Sequence, residues 1–258
     1  MNLRHPLVLA VYLPSGLISV CQGMMIPVLP IFTRTFDASY GVVGLVLAAE
    51  AVGQICGNIP VGTVLRRVGR NNTLRIGVVI VLTTVFALYW SQTVLEVVCL
   101  RFLTGVGHAI WNVSRMAYLA EETVSQNRGR AIATFGGVGR MGGFIGPGIG
   151  GLVAAYWGIR APFIAYAIIG VVVFLIVLFG LGPDKPVADR PDAKTFRMWD
   201  VFREKLSILT KAGTGQFLAQ TVRSGRAVIV PLYGADIIGL GVDQIGFILS
   251  AASFVDMS

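Results

Sequence analysis

The chain has 258 residues, of which 55% are hydrophobic and 13% charged, and its formal net charge is +8. Soluble domains carry charge on about a quarter of their residues, so this chain could not cover a globule with polar surface. A lipid bilayer is the solvent that fits such a composition.

Apolar segments that are long enough to cross a membrane recur along the whole chain. A spanning helix needs about 20 mostly apolar residues, and seven candidate segments precede the start of an eighth near Gln244. The seven run over 6–32, 41–65, 74–90, 94–120, 131–157, 161–181 and 212–238. The pattern predicts an all-α, polytopic membrane bundle.

The segments group into two unequal parts. We expect a six-helix N-terminal transmembrane half over 1–181 and a cytoplasmic connecting loop over 182–211. The seventh helix and an incomplete eighth would then occupy 212–258 as the start of a C-terminal half. The eighth has only about 15 residues, too few for the hydrocarbon core, so we expect a C-terminally truncated chain.

The basic residues lie mainly on one side of the predicted bundle. With the N-terminus in the cytoplasm, the inner segments hold fourteen Lys and Arg residues, whereas the outer segments hold only Arg34 and Arg160. An excess of these residues in cytoplasmic segments is the usual orientation signal. We therefore expect a multi-pass protein of the cell membrane with a cytoplasmic N-terminus. This distribution explains the net charge without nucleic acid as a partner.

The fourth span carries a stripe of polar residues that cannot face lipid. Its members are spaced at steps of 4, 3, 4 and 3, which is one face of a helix: Arg101, Gly105, His108, Asn112 and Arg115. Ionisable groups inside a membrane mark functional positions. The stripe is either the wall of a water-filled cavity that contacts substrate or protons, or a buried polar network that holds helices together.

Further ionisable residues lie inside other spans. Glu50 shares a face of the second span with Gln54 and Asn58 and could pair with a cation of the fourth or fifth span. A carboxyl group in a low-dielectric surrounding binds its proton more tightly than in water, so Glu50 is either a proton carrier or one partner of a permanent salt bridge. Arg140 and Arg223 also need a partner or a cavity.

The fifth span contains the spacing of a dinucleotide-binding motif, at Gly137, Gly139 and Gly142. The functional motif follows a strand, opens a helix and is completed by an acidic residue about 20 positions later. Here the glycines lie in an apolar span, and Arg160 stands near the acidic position. We therefore predict neither a dinucleotide enzyme nor any other enzyme. We also predict no cofactor, because no ATP-binding P-loop occurs, and no metal site, because the cysteines form no ligand pattern.

Three stretches resemble signatures of the major facilitator superfamily. GTVLRRVGRNNTL, after the second span, is similar to the loop signature G-x-L-A-D-R-x-G-R-K-x-x-L, with matches at Gly62, Arg67, Gly69, Arg70 and Leu74. In the family, the acidic residue of this loop helps to lock the inner gate. Arg66 stands at that position here.

The other two signatures lie in the fourth and fifth spans. RFLTGVGHA resembles the fourth-helix signature R-x-x-x-G-x-G, and the resemblance implies that Arg101 is a core residue linked to proton transfer. The antiporter signature of the fifth helix, G-x-x-x-G-P-x-x-G-G, is matched at Gly142, Gly146, Pro147, Gly150 and Gly151. A further glycine of that signature is replaced by Ala133.

The resemblance implies a secondary transporter of the drug/proton antiporter type. Its N-terminal half would be built of 3+3 inverted repeats, and its partners would be a small solute, protons and the missing C-terminal helices. We expect transport by alternating access, with proton-coupled export. The alternatives are a proton-coupled uptake symporter and a non-transporting remnant. Candidates for transport and proton coupling are Glu50, Arg101, His108, Asn112, Arg115, Arg140 and Arg223.

Overall fold

Helices form almost all of the chain that can be described. The computed structural model describes residues 11–123, 128–181 and 206–255, and these residues contain no strand. The helices are α1 (Leu13–Arg34), α2 (Tyr40–Val68), α3 (Arg70–Leu88), α4 (Val94–Glu122), α5 (Arg128–Trp157), α6 (Ala161–Gly180), α7 (Leu206–Tyr233) and α8 (Val242–Val255), with a π-helical turn at Gly234–Ile238. The predicted all-α bundle is confirmed.

The segment expected to be a gating loop is almost entirely helical. Only Gly69 separates α2 from α3, and its φ of 85° lies in the left-handed region that favours glycine. Gly62, Arg66 and Arg67 therefore belong to the end of α2, and Arg70 begins α3. The prediction placed a loop here because it counted charged residues as outside the span.

Two other helices begin earlier than predicted. α5 starts at Arg128 and α7 at Leu206, whereas apolar runs alone suggested starts at 131 and 212. Polar residues can extend a membrane helix beyond the hydrocarbon, since long basic side chains reach back to the interface. The predicted connecting loop lies mostly outside the described residues, as do the first residues of the first span and the last three of the chain.

Among the described residues, five helices are both long and apolar enough to cross a membrane by composition alone. These are α1 to α4 and α6, and α6 has the highest mean hydropathy, 2.9. The predicted fifth and seventh spans fall outside this set. Glycine in α5 and polar residues in α7 lower their hydropathy without shortening them, because these helices have 30 and 28 residues.

The contacts among the first six helices follow a two-fold pattern. The pairs α1–α5 and α2–α4 pack most extensively, followed by α3–α4, α3–α6 and α1–α6. Exchanging α1 with α4, α2 with α5 and α3 with α6 converts this set of pairs into itself. Such a pattern is expected for two inverted three-helix repeats.

Glycines allow both of the most extensive pairs to pack backbone against backbone. In the α2–α4 pair, a Cβ added to Gly57 would lie 3.0 Å from Val106 Cα, and one added to Gly105 would meet the backbone of Glu50. In the α1–α5 pair, a Cβ on Gly146 would lie 2.6 Å from Gly23 Cα. Small residues permit such approach in membranes, where van der Waals packing drives association.

The fifth-helix motif presents small residues to two different neighbours. Gly142, Gly146 and Gly150 face α1, and their Cβ positions are occupied by its backbone. On another face of α5, a Cβ on Gly151 would lie 2.6 Å from the carbonyl oxygen of Val242 in α8. α5 is therefore packed closely on two faces, against α1 on one and against α8 on the other.

Replacing a glycine of the α1–α5 pair is expected to destabilise the bundle. An alanine at Gly146 places a methyl group on the backbone of α1, and overpacking costs about 1–3 kcal/mol. Gly143→Ala is the matched control, because no neighbouring atom lies within 4 Å of the added group. Alanine there should be neutral or stabilising by about 0.5–1 kcal/mol. Thermal unfolding in detergent measures both variants, and equal stabilities would contradict this description.

Candidate functional site

A buried ionic cluster joins α2 to α4. Arg101 donates a hydrogen bond from Nη2 to Oε2 of Glu50, and Nδ1 of His108 lies 2.7 Å from Oε1 of the same carboxylate. Arg101 and His108 are buried, whereas the Glu50 side chain is 16% exposed. Both carboxylate oxygens are thus engaged, and Glu50 is the most exposed member of the cluster.

The close approach of the two helices positions this cluster. The α4 glycine Gly105 lies directly against the Glu50 backbone, and the α2 glycine Gly53 lies against the Phe102 backbone. Arg101 and His108 lie one helical turn on either side of Gly105, and both therefore reach the Glu50 side chain. The glycine in the stripe therefore has a packing role, and Arg101 and His108 beside it share one carboxylate.

His108 extends the network to two further helices. Its Nε2 lies 3.2 Å from the Gln22 amide nitrogen of α1 and 3.3 Å from the Tyr166 hydroxyl of α6. A neutral imidazole that donates from Nδ1 to Glu50 accepts at Nε2, whereas a protonated one donates from both nitrogens. The network can therefore accommodate either protonation state of His108 by reorienting hydroxyl and amide partners.

Sequence analysis did not identify Tyr166 as part of the site. It is a single polar residue in the most apolar helix, so no stripe or spacing marks it. Its hydroxyl is buried and directed at His108. A search for lone hydroxyl groups in otherwise apolar spans would have found it, although sequence gives no means of pairing it with α4.

The C-terminal part of the α4 stripe forms a second, separate cluster. Arg115 donates to Asn112 Oδ1 at 2.8 Å and to Ser15 Oγ at 3.2 Å. Its guanidinium also lies over Phe135, 4.2 Å from the ring centroid, and 5.5 Å from that of Trp111. No carboxylate pairs with it among the side chains that the structure describes. The predicted single stripe is therefore two clusters with different chemistry.

The residues of the loop signature after the second span also fall into two groups, one buried and one exposed. Arg70 is buried, with its guanidinium carbon 4.1 Å above the Tyr118 ring of α4. Gly62, Arg66 and Arg67 are exposed. Arg70 thus ties the start of α3 to α4, whereas Arg66 and Arg67 remain available for contacts outside the first six helices.

Arg140 and Arg223 lie apart from both clusters. Arg140 is exposed, and it occupies the same face of α5 as Pro147 and Gly151, which pack against α8. Arg223 lines a cavity of about 240 Å³ between α1, α7 and α8. Neither arginine pairs with an acidic residue in the described ranges, and both face the boundary between the first six helices and the last two.

A sequence model described as Major Facilitator Superfamily matches residues 12–257. The chain belongs to the major facilitator superfamily. The family predicted from the three signatures is therefore confirmed, and with it a multi-pass protein integral to a membrane. Members of this superfamily are transporters, so the chain is not an enzyme. The dinucleotide spacing of Gly137 to Gly142 lies within the single helix α5, without the strand and turn that the motif requires.

Curated relatives extend well beyond the matched part. The chain is 26% identical over 198 residues to multidrug resistance protein MdtG of Klebsiella pneumoniae (strain 342), covering 74% of this chain and 48% of that protein. It is 28% identical over 168 residues to multidrug resistance protein 2 of Bacillus subtilis (strain 168), covering 65% and 42%. The chain spans about half the length of the curated relatives it matches.

Solved structures show the same fold. The chain is similar to a bacterial homologue of the human lysosomal transporter Spinster, with a TM-score of 0.81 and 17% identity over 98% of this chain and 61% of that one. It is also similar to a D-xylose–proton symporter, with a TM-score of 0.69 and 17% identity over 95% and 65%. The arrangement of helices in this superfamily member is therefore that of known transporters.

A polar contact joins the two parts of this superfamily fold at one end. Arg34 Nε, at the end of α1, donates to Asp236 Oδ2 at 3.1 Å, and the Tyr40 hydroxyl donates to the same oxygen at 3.0 Å. Asp236 belongs to the turn after α7. We call these three residues the latch. Nearer the middle of the bundle, Gly148 N of α5 donates to Ser250 Oγ of α8 at 2.9 Å.

Replacing Glu50 alone is expected to destabilise the chain more than replacing Glu50 and Arg101 together. Loss of one partner of a buried ion pair costs about 3–5 kcal/mol, because the other charge is left uncompensated. Thermal unfolding of Glu50→Gln, Arg101→Gln and the double variant forms a cycle. We expect the double variant to lose less stability than the sum of the losses in the two single variants. Strict additivity would show that the two residues are not coupled.

Weakening the latch is expected to open the contact between α5 and α8. In a chain with Cys56→Ala and Cys99→Ala, Ser250→Cys reports access to this contact through its rate of maleimide labelling. Asp236→Asn should raise that rate several-fold. Asp37→Asn is the matched control, because it removes the same charge from the adjacent α1–α2 turn without touching the latch. Equal rates in the two variants would contradict a latch role.

Proposed function

We propose that the chain forms the first part of a secondary active transporter that exports a small solute in exchange for protons. The observation that carries this proposal is the Glu50–Arg101–His108 cluster, because it places a carboxyl group and an imidazole in contact inside a transporter bundle. The fifth-helix antiporter signature supports export. The names of the two multidrug resistance relatives support the same direction.

Protonation of Glu50 is the proposed coupling step. An ionised Glu50 holds Arg101 and His108 together, and a neutral Glu50 releases Arg101 from ion pairing and weakens the contact with His108. A proton shifts the balance between two conformations only if it binds them with different affinity. The cluster provides that difference when the α2–α4 contact, or access to Glu50, changes between the states. Gln22 and Tyr166 then stabilise whichever protonation state His108 adopts.

The latch is the proposed gate at the end that it closes, and the α5–α8 contact continues this closure toward the middle of the bundle. The latch charges are partly exposed, at 34% and 26% of their side chains, and an ion pair of this kind contributes about 0–1 kcal/mol. Such a contact can break during each transport cycle. With the N-terminus in the cytoplasm, as the positive-inside pattern favours, the closed end is the outer one and the solute enters from the cytoplasm.

The remaining candidate residues are proposed to line the solute path. Arg140 and Arg223 face the boundary between the two parts of the fold. Arg115 and Asn112 lie deeper in the first six helices. Arg66 and Arg67 are proposed to contact the second half when the inner end closes, with Arg66 in the place of the signature's acidic residue.

Transport in proteoliposomes tests the coupling and its direction, with the full-length transporter of which this chain is the proposed first part. The probes are 2-naphthalenesulfonate and ethidium, which keep a fixed negative and a fixed positive charge across the pH range used. A vesicle lumen more acidic than the bath should drive uptake of a probe by proton exchange, whichever way the protein is inserted. Uptake driven by an acidic bath would instead assign symport. Uptake that does not respond to either gradient would overturn proton coupling.

Glu50→Gln is expected to abolish gradient-driven uptake while leaving exchange of labelled for unlabelled probe. Glu96→Gln is the matched control, because Glu96 lies at the exposed start of α4 and glutamine can serve in the same capping box. It should retain gradient-driven uptake within about two-fold, since both of its capping hydrogen bonds can persist. Full coupling in Glu50→Gln would remove this residue from the mechanism.

A further inference from the structure

An open groove of about 650 Å³ lies between the end of α3 and the turn that joins α5 to α6. Its walls are mostly apolar and belong to α5 and α6: Val153, Ile164, Ala165 and Ile168. Arg160 is the one charged residue among the described residues that line it. None of these residues belongs to α7 or α8, so the groove is separate from the boundary between the two parts of the fold.

The groove opens on an apolar face of the bundle. Ile168 at its far end is 62% exposed, and Phe179 further along α6 is 80% exposed. α6 packs on α3, α1 and α5, and it has the highest mean hydropathy of the described spans. Acyl chains are as apolar as such side chains. The exposed face of α6, and with it the groove, therefore contacts lipid.

Aromatic side chains mark the level at which the groove meets the membrane–water interface. Trp157 lines the groove, Tyr156 contacts the Trp157 ring and Trp90 contacts the ring of Tyr89. Trp and Tyr are enriched at the level of lipid headgroups. From Arg160 to Ile168, α6 rises about 12 Å, which is most of the roughly 15 Å of hydrocarbon in one leaflet. The groove thus runs from headgroup level into the acyl chains.

Arg160 is held in place by neutral groups and keeps donors free. Its Nη1 donates to the Tyr89 carbonyl oxygen at 2.7 Å, and its Nη2 donates to that of Ser91 at 3.0 Å. Its guanidinium carbon lies 5.5 Å from the centroid of the Phe32 ring. A guanidinium has five N–H donors, so three remain for another ligand. No carboxylate pairs with Arg160 within residues 11–123, 128–181 and 206–255.

We infer that this groove binds an anionic phospholipid, with its phosphate on Arg160 and one acyl chain along α6. Guanidinium groups bind phosphate oxygens through charge-assisted hydrogen bonds. Because no acidic residue is among the described lining residues, the groove has no counter-ion for the amine of a zwitterionic headgroup. A headgroup with net negative charge is therefore preferred. With the N-terminus in the cytoplasm, the lipid belongs to the outer leaflet.

The bound lipid is a structural partner of the first six helices and not a transported solute. Arg160 already joins the start of α6 to the end of α3, and the acyl chain adds contacts with Val153 of α5 and Ile164 of α6. The lipid thus holds three helices together at the end where the latch lies. This inference does not rest on the proposed direction or coupling of transport.

Photo-crosslinking to the purified chain tests the site and its preference among lipids. The probe is phosphatidylglycerol with a diazirine in one acyl chain, added to the chain in detergent micelles. Peptide mapping after illumination should place the main adducts within 153–168. Unlabelled phosphatidylglycerol should compete about ten-fold better than phosphatidylcholine with the same acyl chains, because the groove compensates only negative charge. Adducts spread evenly over exposed helix faces, or equal competition by the two lipids, would overturn the inference.

Replacing Arg160 separates this site from a general attraction of anionic lipid to a basic protein. Arg160→Gln should lower the adduct yield within 153–168 by about ten-fold, since charge-assisted hydrogen bonds to the phosphate are lost. Arg66→Gln removes one charge from the exposed end of α2 and is the matched control, with unchanged yield in this segment. Equal losses in the two variants would show that net charge governs binding.

A second variant tests the acyl chain without changing Arg160 or its hydrogen bonds. Ala165→Leu fills part of the groove and should lower the adduct yield several-fold. Ala155→Leu makes the same change at an exposed α5 residue outside the lining and should leave the yield unchanged. The Tm of each variant without lipid verifies that it is folded. Unchanged yield in a folded Ala165→Leu chain would overturn the inference.

Glycerol phosphate distinguishes a lipid from a soluble phosphate compound. It carries the phosphate group but no acyl chain, and burial of the chain supplies most of the binding energy of a lipid. It should therefore compete at least about a hundred-fold less effectively than phosphatidylglycerol. Equal competition would assign the groove to a soluble phosphate compound and overturn the lipid assignment. Because every arm measures binding, failure of the transport assay would leave these results unchanged.

Discussion

Close contact between helix backbones is the constraint on which the rest of this structure depends. In a bilayer the lipid is as apolar as the side chains, so burial of leucine or valine gives little reason for one helix to prefer another. Glycines supply such a preference, because they let the backbone of α2 pack closely on α4 and that of α5 on α1. The two-fold relation between these pairs means that one packing solution is used twice, and each time it joins one three-helix repeat to the other.

The ionic chemistry of the site follows from this packing. A glutamate and an arginine at the observed positions would each be costly in hydrocarbon, and they are tolerated because Gly105 brings the α2 backbone close enough for their side chains to meet. Charge and packing are therefore not separate features of α4. Residues at one-turn intervals alternate between admitting the neighbouring helix and binding its carboxylate. A larger residue at Gly105 would disrupt the ion pair without altering either charge.

The sequence predicted the helices of this fold better than it predicted which side chains of different helices contact one another. Apolar runs located the helices, and the 4, 3, 4, 3 spacing placed Arg101 and His108 on one face. Spacing could not reveal that Arg115 belongs to a second cluster, because that depends on Ser15 and Phe135, which come from other helices. Tyr166 was missed for the same reason. Helix ends were misplaced where charged residues continue a helix beyond the hydrocarbon, since hydropathy alone stops at the first charge.

The ionic contacts within the first half and the latch between the two parts differ in strength, and this difference matters for movement. Within the first half, close backbone contacts join α1 to α5 and α2 to α4, and a buried ion pair also joins α2 to α4. Loss of one partner of a buried ion pair costs about 3–5 kcal/mol. Between the parts, the latch is partly exposed and contributes about 0–1 kcal/mol. A rigid body that moves against a second one requires this ordering. Any strain applied across the molecule breaks the latch first and leaves the proton-binding cluster intact, so the site can remain assembled while its access changes.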